Sequence, residues 1–416
     1  MTKVNKPKIR FKNFKDSWIL RKLSDTQTDF KDGNYGEAYP KETDLTSSTQ
    51  GVPFLRGSDL DNGKLTLTNA RYITQSKHNE LISGHLIEDD IVIAVRGSLG
   101  SLGYVGPDNK GWNINSQLAI IRTRKIELIG NYLIQFLLSN RGNKEISSHI
   151  TGTALKQLPI KQLKNIKVPI PKIEEQSAIG SLFRTLDDLL DSYKDNLANY
   201  QSLKATMLSK MFPKAGQTVP EIRLDGFEGE WELLEINDLA DDFQSGGTPK
   251  TNVQEYWDGD IPWIQSSDLE TNCLFEIKVQ KSISEKGLKN SSAKIISKDS
   301  IAVVTRVGVG KLAVMRHEYA TSQDFLSLSN LKSNIEFTAY LLYRLLQKVV
   351  TQLQGTSIKG ITKVELLSKK VLIPSLSEQQ AIGAYFSNLD NLITAHQEKI
   401  SQLETLKKKL LQDMFI

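Results

Sequence analysis

Pro171-Lys-Ile-Glu-Glu-Gln-Ser-Ala-Ile-Gly-Ser-Leu-Phe183 is answered later in the chain by Pro374-Ser-Leu-Ser-Glu-Gln-Gln-Ala-Ile-Gly-Ala-Tyr-Phe386. The offset is 374 − 171 = 203, and it holds without a gap to Met211-Phe212 against Met414-Phe415. An ungapped internal match of this length marks a tandem repeat and decides how the rest is read. Working outward, Pro7, Ile9, Arg10, Phe14 and Trp18 align with Pro220, Ile222, Arg223, Phe227 and Trp231, an offset of 220 − 7 = 213. Val52-Pro53 and Ser58-Asp59-Leu60 answer Ile261-Pro262 and Ser267-Asp268-Leu269. The run from Asp89 to Gly100 answers that from Asp299 to Gly310, and Gly152, Thr153 and Lys156 answer Gly355, Thr356 and Lys359. The chain is two copies of one unit, each a globular domain followed by a long helix.

The repeated segment carries apolar residues at steps of mostly three and four: Leu186, Leu190, Tyr193 and Leu197 in one copy, Leu389, Ile393, His396 and Ile400 in the other. That spacing predicts a helix with a single apolar stripe, as in a coiled-coil seam. The preceding prolines and a Ser377…Gln380 box mark helix starts. A helix of roughly 38 residues is about 57 Å long, and one apolar on a single stripe needs a partner. Connectivity makes the other copy that partner. The first helix leaves the end of the first globular domain; the second should finish where that domain begins. The expectation is an antiparallel coiled coil, a pseudo-two-fold circular repeat, with both termini on one side; a coiled coil with another chain is the alternative. The linker Pro213–Pro220 ends the first helix, and Pro7 stands in the equivalent stretch.

The globular domains read as α+β. Ile91–Val95 and Ile301–Val304 are short β-branched runs expected as buried strands, while 129–139 and 338–347 have helical spacing. The expected divisions are 1–170 and 214–373 for the globular domains, with 171–213 and 374–416 as helical repeats. The composition is 39% hydrophobic and 24% charged with net charge +5, mildly basic and compatible with nucleic acid without requiring it. No apolar run of about 18 residues occurs, so no membrane is expected and the location expected is cytoplasmic. The single Cys273 excludes an internal disulfide and a cysteine-based zinc site.

Catalytic patterns are missing. There is no Pro-Pro, hence no Asn-Pro-Pro-aromatic segment of an amino-methyltransferase. Gly308-Val-Gly310-Lys311 lacks the first P-loop glycine, and Gly97-Ser-Leu-Gly100-Ser-Leu-Gly103 lacks dinucleotide spacing and reads as a tight turn. The five histidines are scattered without metal-ligand spacing.

The paired Glu-Gln-x-Ala-Ile-Gly-x-x-Phe helices resemble those of the specificity subunit of type I restriction-modification enzymes. Gly246-Gly-Thr-Pro-Lys250 with Tyr256-Trp-Asp-Gly-Asp-Ile-Pro-Trp263 resembles the opening of a target-recognition domain, and Ser322–Leu328 fits as well. The first unit departs, with Lys31-Asp-Gly-Asn-Tyr-Gly36 in place of that opening. The resemblance implies a non-catalytic protein whose two target-recognition domains each read half of a split double-stranded DNA site. It implies helices that act as a ruler and dock two modification subunits. S-adenosylmethionine would sit on those subunits, ATP and magnesium on restriction subunits, and no cofactor or metal on this chain. Closely matching helices suit two copies of one partner, and divergent domains suit two different half-sites. A two-domain protein-interaction scaffold and an enzyme with an unrecognised site, such as a nuclease, are the competing readings.

Base edges are read by polar side chains, while lysines and arginines hold phosphates. The candidates are Arg56, Ser58, Arg96, Asn115, Gln117 and Lys156 in the first unit and Lys250, Gln265, Ser267, Arg306, Gln323 and Lys359 in the second. Glu175, Gln176, Asp187 and Lys204, with Glu378, Gln379, Asp390 and Lys407, are shared by both helices and expected to be exposed for subunit docking.

Overall fold

The computed structural model describes residues 2–3, 7–275, 277–353 and 360–415. The chain forms two compact units, Met1–Lys194 with Glu398–Ile416, and Asp195–Gln397. Each unit therefore takes the start of one long helix and the end of the other.

The first unit is built on a four-stranded antiparallel sheet in the order Asp29–Asp32, Leu118–Arg122, Ile91–Ala94, Leu102–Tyr104. Ile91-Val-Ile-Ala is apolar at every position because both faces are covered. Ile91 and Ile93 pack on the helical side with Tyr132, Leu133 and Phe136. Val92 and Ala94 pack on the other side with Leu55 and Ile114. These last two belong to a small sheet in which Val52–Leu55 pairs parallel with Asn113–Ile114 and antiparallel with Arg71–Ile73. Strand Ile19–Lys22 joins Lys167–Ile170, which leads into the long helix.

The second unit repeats the plan. Its four-stranded sheet runs Ala240–Ser245, Phe325–Leu331, Ser300–Val304, Leu312–Met315. Trp257–Ile264 pairs antiparallel with Lys281–Ile283 and parallel with Ala320–Thr321. Glu232–Glu235 pairs with Lys370–Ile373 ahead of the second long helix. The helix expected over 338–347 extends over Ile335–Leu353, and 129–139 becomes Gly130–Leu138 followed by Asn140–Ser148.

Both long helices are continuous over 38 residues, Ile173–Lys210 and Leu376–Asp413. In the first unit Asp187 pairs with Lys407 and Lys194 with Glu404 at 2.7 Å. In the second, Lys204 pairs with Asp390, and Tyr200 meets His396 edge-on at 5.1 Å. One residue number falls as the other rises, so the helices run antiparallel within each unit. The expected Ser377…Gln380 box is corrected: the helix begins at Leu376, and it is the Ser375 hydroxyl that accepts the N–H of Glu378, at 3.4 Å.

The repeat is circular. Phe212 packs with Trp231, Phe337 and Phe386, and Phe415 packs with Tyr132, Phe136 and Phe183. The Ile222 N–H donates to the Lys210 carbonyl at 3.0 Å across the linker, and the Ile9 N–H donates to the Asp413 carbonyl at 3.1 Å. Subtracting 213 and adding 203 turns the first bond into the second, so the same joint forms with and without chain continuity. Met1 and Ile416 themselves lie outside the described residues.

Candidate nucleic-acid interface

In the first unit, strand Ile91–Ala94 runs out into Val95 and Arg96, whose N–H groups both donate to the Gln117 carbonyl at 2.8 and 3.2 Å. The chain then turns through Gly97 and Gly100, at φ 70° and 80°, so the glycine run is the tight turn expected. Arg96 and Gln117 are exposed neighbours at this end of the sheet. Ser58 is exposed on the turn Gly57–Asp59, and a Cβ added at Gly57 would lie 3.6 Å from Ser98, so that turn packs on the hairpin tip. The Thr151–Gln157 loop carries exposed Lys156 and is tied to the same strand end by the Leu158 N–H to the Val95 carbonyl, 3.0 Å. Arg56 is half-buried, donating to the Asn69 carbonyl and lying 3.7 Å from Asp59. Asn115 is a correction: it is 3% exposed, and its Oδ1 accepts the Gln117 N–H at 3.0 Å. A short amide that closes its own turn is spent on the backbone.

The second unit assembles the same frame. Arg306 is exposed two residues past Val304, and the preceding Thr305 N–H donates to the Asp324 carbonyl at 2.8 Å. Ser267 is exposed, whereas Gln265 is half-buried with its N–H on Asp268 Oδ2 at 3.1 Å. Gln323 is exposed and accepts the Thr248 hydroxyl. Arg306, Gln323, Thr362 and Lys363 line a cleft of about 440 Å³. Lys250 stands apart on the loop whose carbonyl takes the Trp257 indole N–H at 3.2 Å. Lys359 lies outside the described residues.

Tyr35 and Thr248 were missed by sequence reading, although 248 − 35 = 213 gives them one slot in the repeat. The slot is built by a glycine at its base: a Cβ at Gly33 would lie 2.0 Å from the Asn115 carbonyl oxygen, and one at Gly246 would lie 2.3 Å from that of Thr321. Tyr35 donates to the Ser116 carbonyl at 3.2 Å, and its ring centre lies 5.4 Å from the Arg96 guanidinium. Burial pushes the Asp32 carboxyl and the Tyr35 phenol up, and the charge of Arg96 opposes both shifts. The sequence departure at 31–36 thus places an aromatic ring against Arg96 where the second unit has Thr248.

The expected exposure of the docking candidates is corrected for all eight: four are buried and four half-buried. Glu175 and Gln176 are each 1% exposed, and Glu378 and Gln379 are buried as well. Glu175 takes Arg10 at 2.6 and 2.7 Å and the Trp18 indole at 3.1 Å. Glu378 takes Arg223 at 2.8 and 2.7 Å. Gln176 accepts the Ile129 N–H and Gln379 that of Asn334, both at 2.9 Å, as the chain enters each domain helix. The motif ties each long helix to its own domain. Asp187, Lys204, Asp390 and Lys407 are half-buried in the ion pairs between the helices. Among the described residues no group of acidic, histidine and cysteine side chains has the arrangement of a metal site.

A family model described as the type I restriction modification DNA specificity domain matches residues 26–199 and again 228–405. The putative type I restriction enzyme MjaX specificity subunit of Methanocaldococcus jannaschii is 23% identical over 409 residues, 95% of this chain and 92% of that one. The EcoBI specificity subunit of Escherichia coli is 26% identical over 225 residues, 49% of this chain and 44% of its own. The crystal structure of an S subunit from a type I restriction-modification system of M. genitalium superposes with a TM-score of 0.65 at 16% identity, covering 99% of each chain.

Proposed function

The chain belongs to the type I restriction-modification DNA specificity family as a non-catalytic subunit with two target-recognition domains, and we propose that each domain reads one half of a split, asymmetric DNA site. Residues 1–170 and 214–373 serve as the readers, and 171–213 and 374–416 as spacer and docking helices. The observation that carries this reading is one frame bearing different side chains. Arg96 and Arg306 occupy equivalent strand ends, while Tyr35, Ser116 and Gln117 of the first unit correspond in position to Thr248, Gln323 and Asp324 of the second. Guanidinium, amide and hydroxyl groups are the donors and acceptors that distinguish base edges in the major groove. Lys156 and Lys363 flank them as phosphate contacts.

The partners are double-stranded DNA, two modification subunits and the restriction subunits; S-adenosylmethionine, ATP and magnesium belong to those partners. The modification subunits dock on exposed helix residues, since the Glu-Gln pairs are occupied internally. The complex works in the cytoplasm; among the described residues no helix is long and apolar enough to cross a membrane.

Single-molecule sequencing of adenine methylation in cells with and without the gene tests the reading. Loss of methylation at one split motif is the expected result. Arg96→Ala should cost about 1–3 kcal/mol and relax one base position of one half-site, while Lys156→Ala should weaken binding evenly across sequences and lower the salt slope by about one. A chain that assembles with modification subunits yet leaves every motif unchanged would favour the protein-interaction scaffold.

A further inference from the structure

A second cationic feature lies in the second unit and shares no lining residue with the cleft beside Arg306. It is a groove of about 470 Å³ between the stretch 212–217 that ends the first long helix, the helix Ile335–Leu353 and the strand Lys370–Ile373. The floor is aliphatic, formed by Leu341, Leu345, Val349 and Leu372. Lys214, Arg344, Lys348, Lys369 and Lys370 surround it, and no acidic side chain lines it. Lys214 is paired with Glu221 at 2.6 Å. Among the described residues, no carboxylate lies within 4.0 Å of the Arg344, Lys348 or Lys370 cation.

Arg344 is half-buried, with one N–H on the Pro213 carbonyl at 3.0 Å and its guanidinium 5.5 Å from the centre of the Phe212 ring. Lys348 follows one helical turn later. Burial lowers the pKa of both, and the charge of Arg344 lowers that of Lys348 further. Arg344 is a partly desolvated cation with no counter-charge, which is costly, and an anion brought by a partner offsets that cost; Lys348 beside it is exposed and within reach of such a partner. Phosphates carry the charge as well, but a DNA backbone offers little to cover the exposed Leu233 and the half-buried Leu345 and Leu372 that line the groove. Carboxylates and aliphatic side chains on one segment match both features.

We propose that this groove docks an acidic, amphipathic segment of the modification subunit, an inference that rests on the specificity-subunit reading. Zero-length carbodiimide coupling joins a lysine amine to a carboxylate in direct contact. Applied to the full-length chain assembled with its modification subunits, it should link Lys348 or Lys370 to aspartate or glutamate of that subunit, as read by mass spectrometry. The Lys348→Glu, Lys370→Glu double variant should weaken assembly by about tenfold or more and leave the methylated motif unchanged. Its circular dichroism should match that of the parent chain, and Arg344→Gln should weaken assembly in the same direction. Normal assembly of the double variant without a cross-link at the groove would overturn the inference alone. Normal assembly with evenly weakened DNA binding would assign the groove to phosphates and overturn it as well. Failure of the parent chain to bind any modification subunit would instead remove the reading on which it rests.

Discussion

Arg10 and Glu175 meet across 165 positions of sequence, and with Trp18 they fasten the long helix to the first domain. Removing one partner of a buried ion pair leaves an uncompensated charge. Arg10→Ala is therefore expected to cost about 3–5 kcal/mol in urea unfolding of the first unit. The identity of Glu175-Gln176 with Glu378-Gln379 was legible, but a shared polar pair marks framework as readily as surface. Its burial depends on a distant arginine that no local pattern points to. A titrating residue lies elsewhere in this unit. His78 is packed edge-on to His85 at 4.6 Å, and burial, then the charge of His85, lowers its pKa. The folded state favours neutral His78, so this contribution is complete above about pH 6.5. It is lost as pH falls through the depressed value. Urea titrations from pH 8 to 5 should show that loss, and His78→Gln should flatten the curve.

The long helices are the elements whose length carries a prediction. Their seam follows the three- and four-residue steps, with Leu186, Leu190, Leu389 and Leu403 buried. One heptad inserted into both helices, after Lys194 and after Gln397, keeps every seam residue on its face. It adds about 10 Å, or about three base pairs of DNA. Methylation sequencing should then show the same half-sites with a spacer longer by about that amount; altered half-sites would contradict the ruler role. The buried strands were also legible, since a run apolar at each position needs cover on both faces. What covers them was not: Leu55 and Ile114 come from a separate small sheet whose strands are too short to announce themselves.

For the molecule as a whole, the circular repeat makes the position of the chain ends a matter of connectivity. The joint between Ile9 and Asp413 copies that between Ile222 and Lys210. A permuted chain opened within Pro213–Pro220 and closed by a short linker near Ile9 and Asp413 should fold. It should direct methylation to the unchanged motif, with an unfolding midpoint close to that of the parent. Collapse of the fold, or a changed motif, would show that linker 213–220 does more than connect.

By itself the sequence determined the duplication, the paired antiparallel helices, the α+β class and the family. The first three rest on periodicity and on the comparison of one half with the other, and the family rests on the resemblance carried by the repeated Glu-Gln helices; none of these needs knowledge of distant contacts. Only the tertiary structure decided which shared polar residues are buried. It spent Asn115 on its own turn, set Tyr35 against Arg96, and left Arg344 and Lys348 over an aliphatic groove without a counter-charge. Burial and charge pairing are properties of residues far apart in sequence, and only the folded chain brings them into reach.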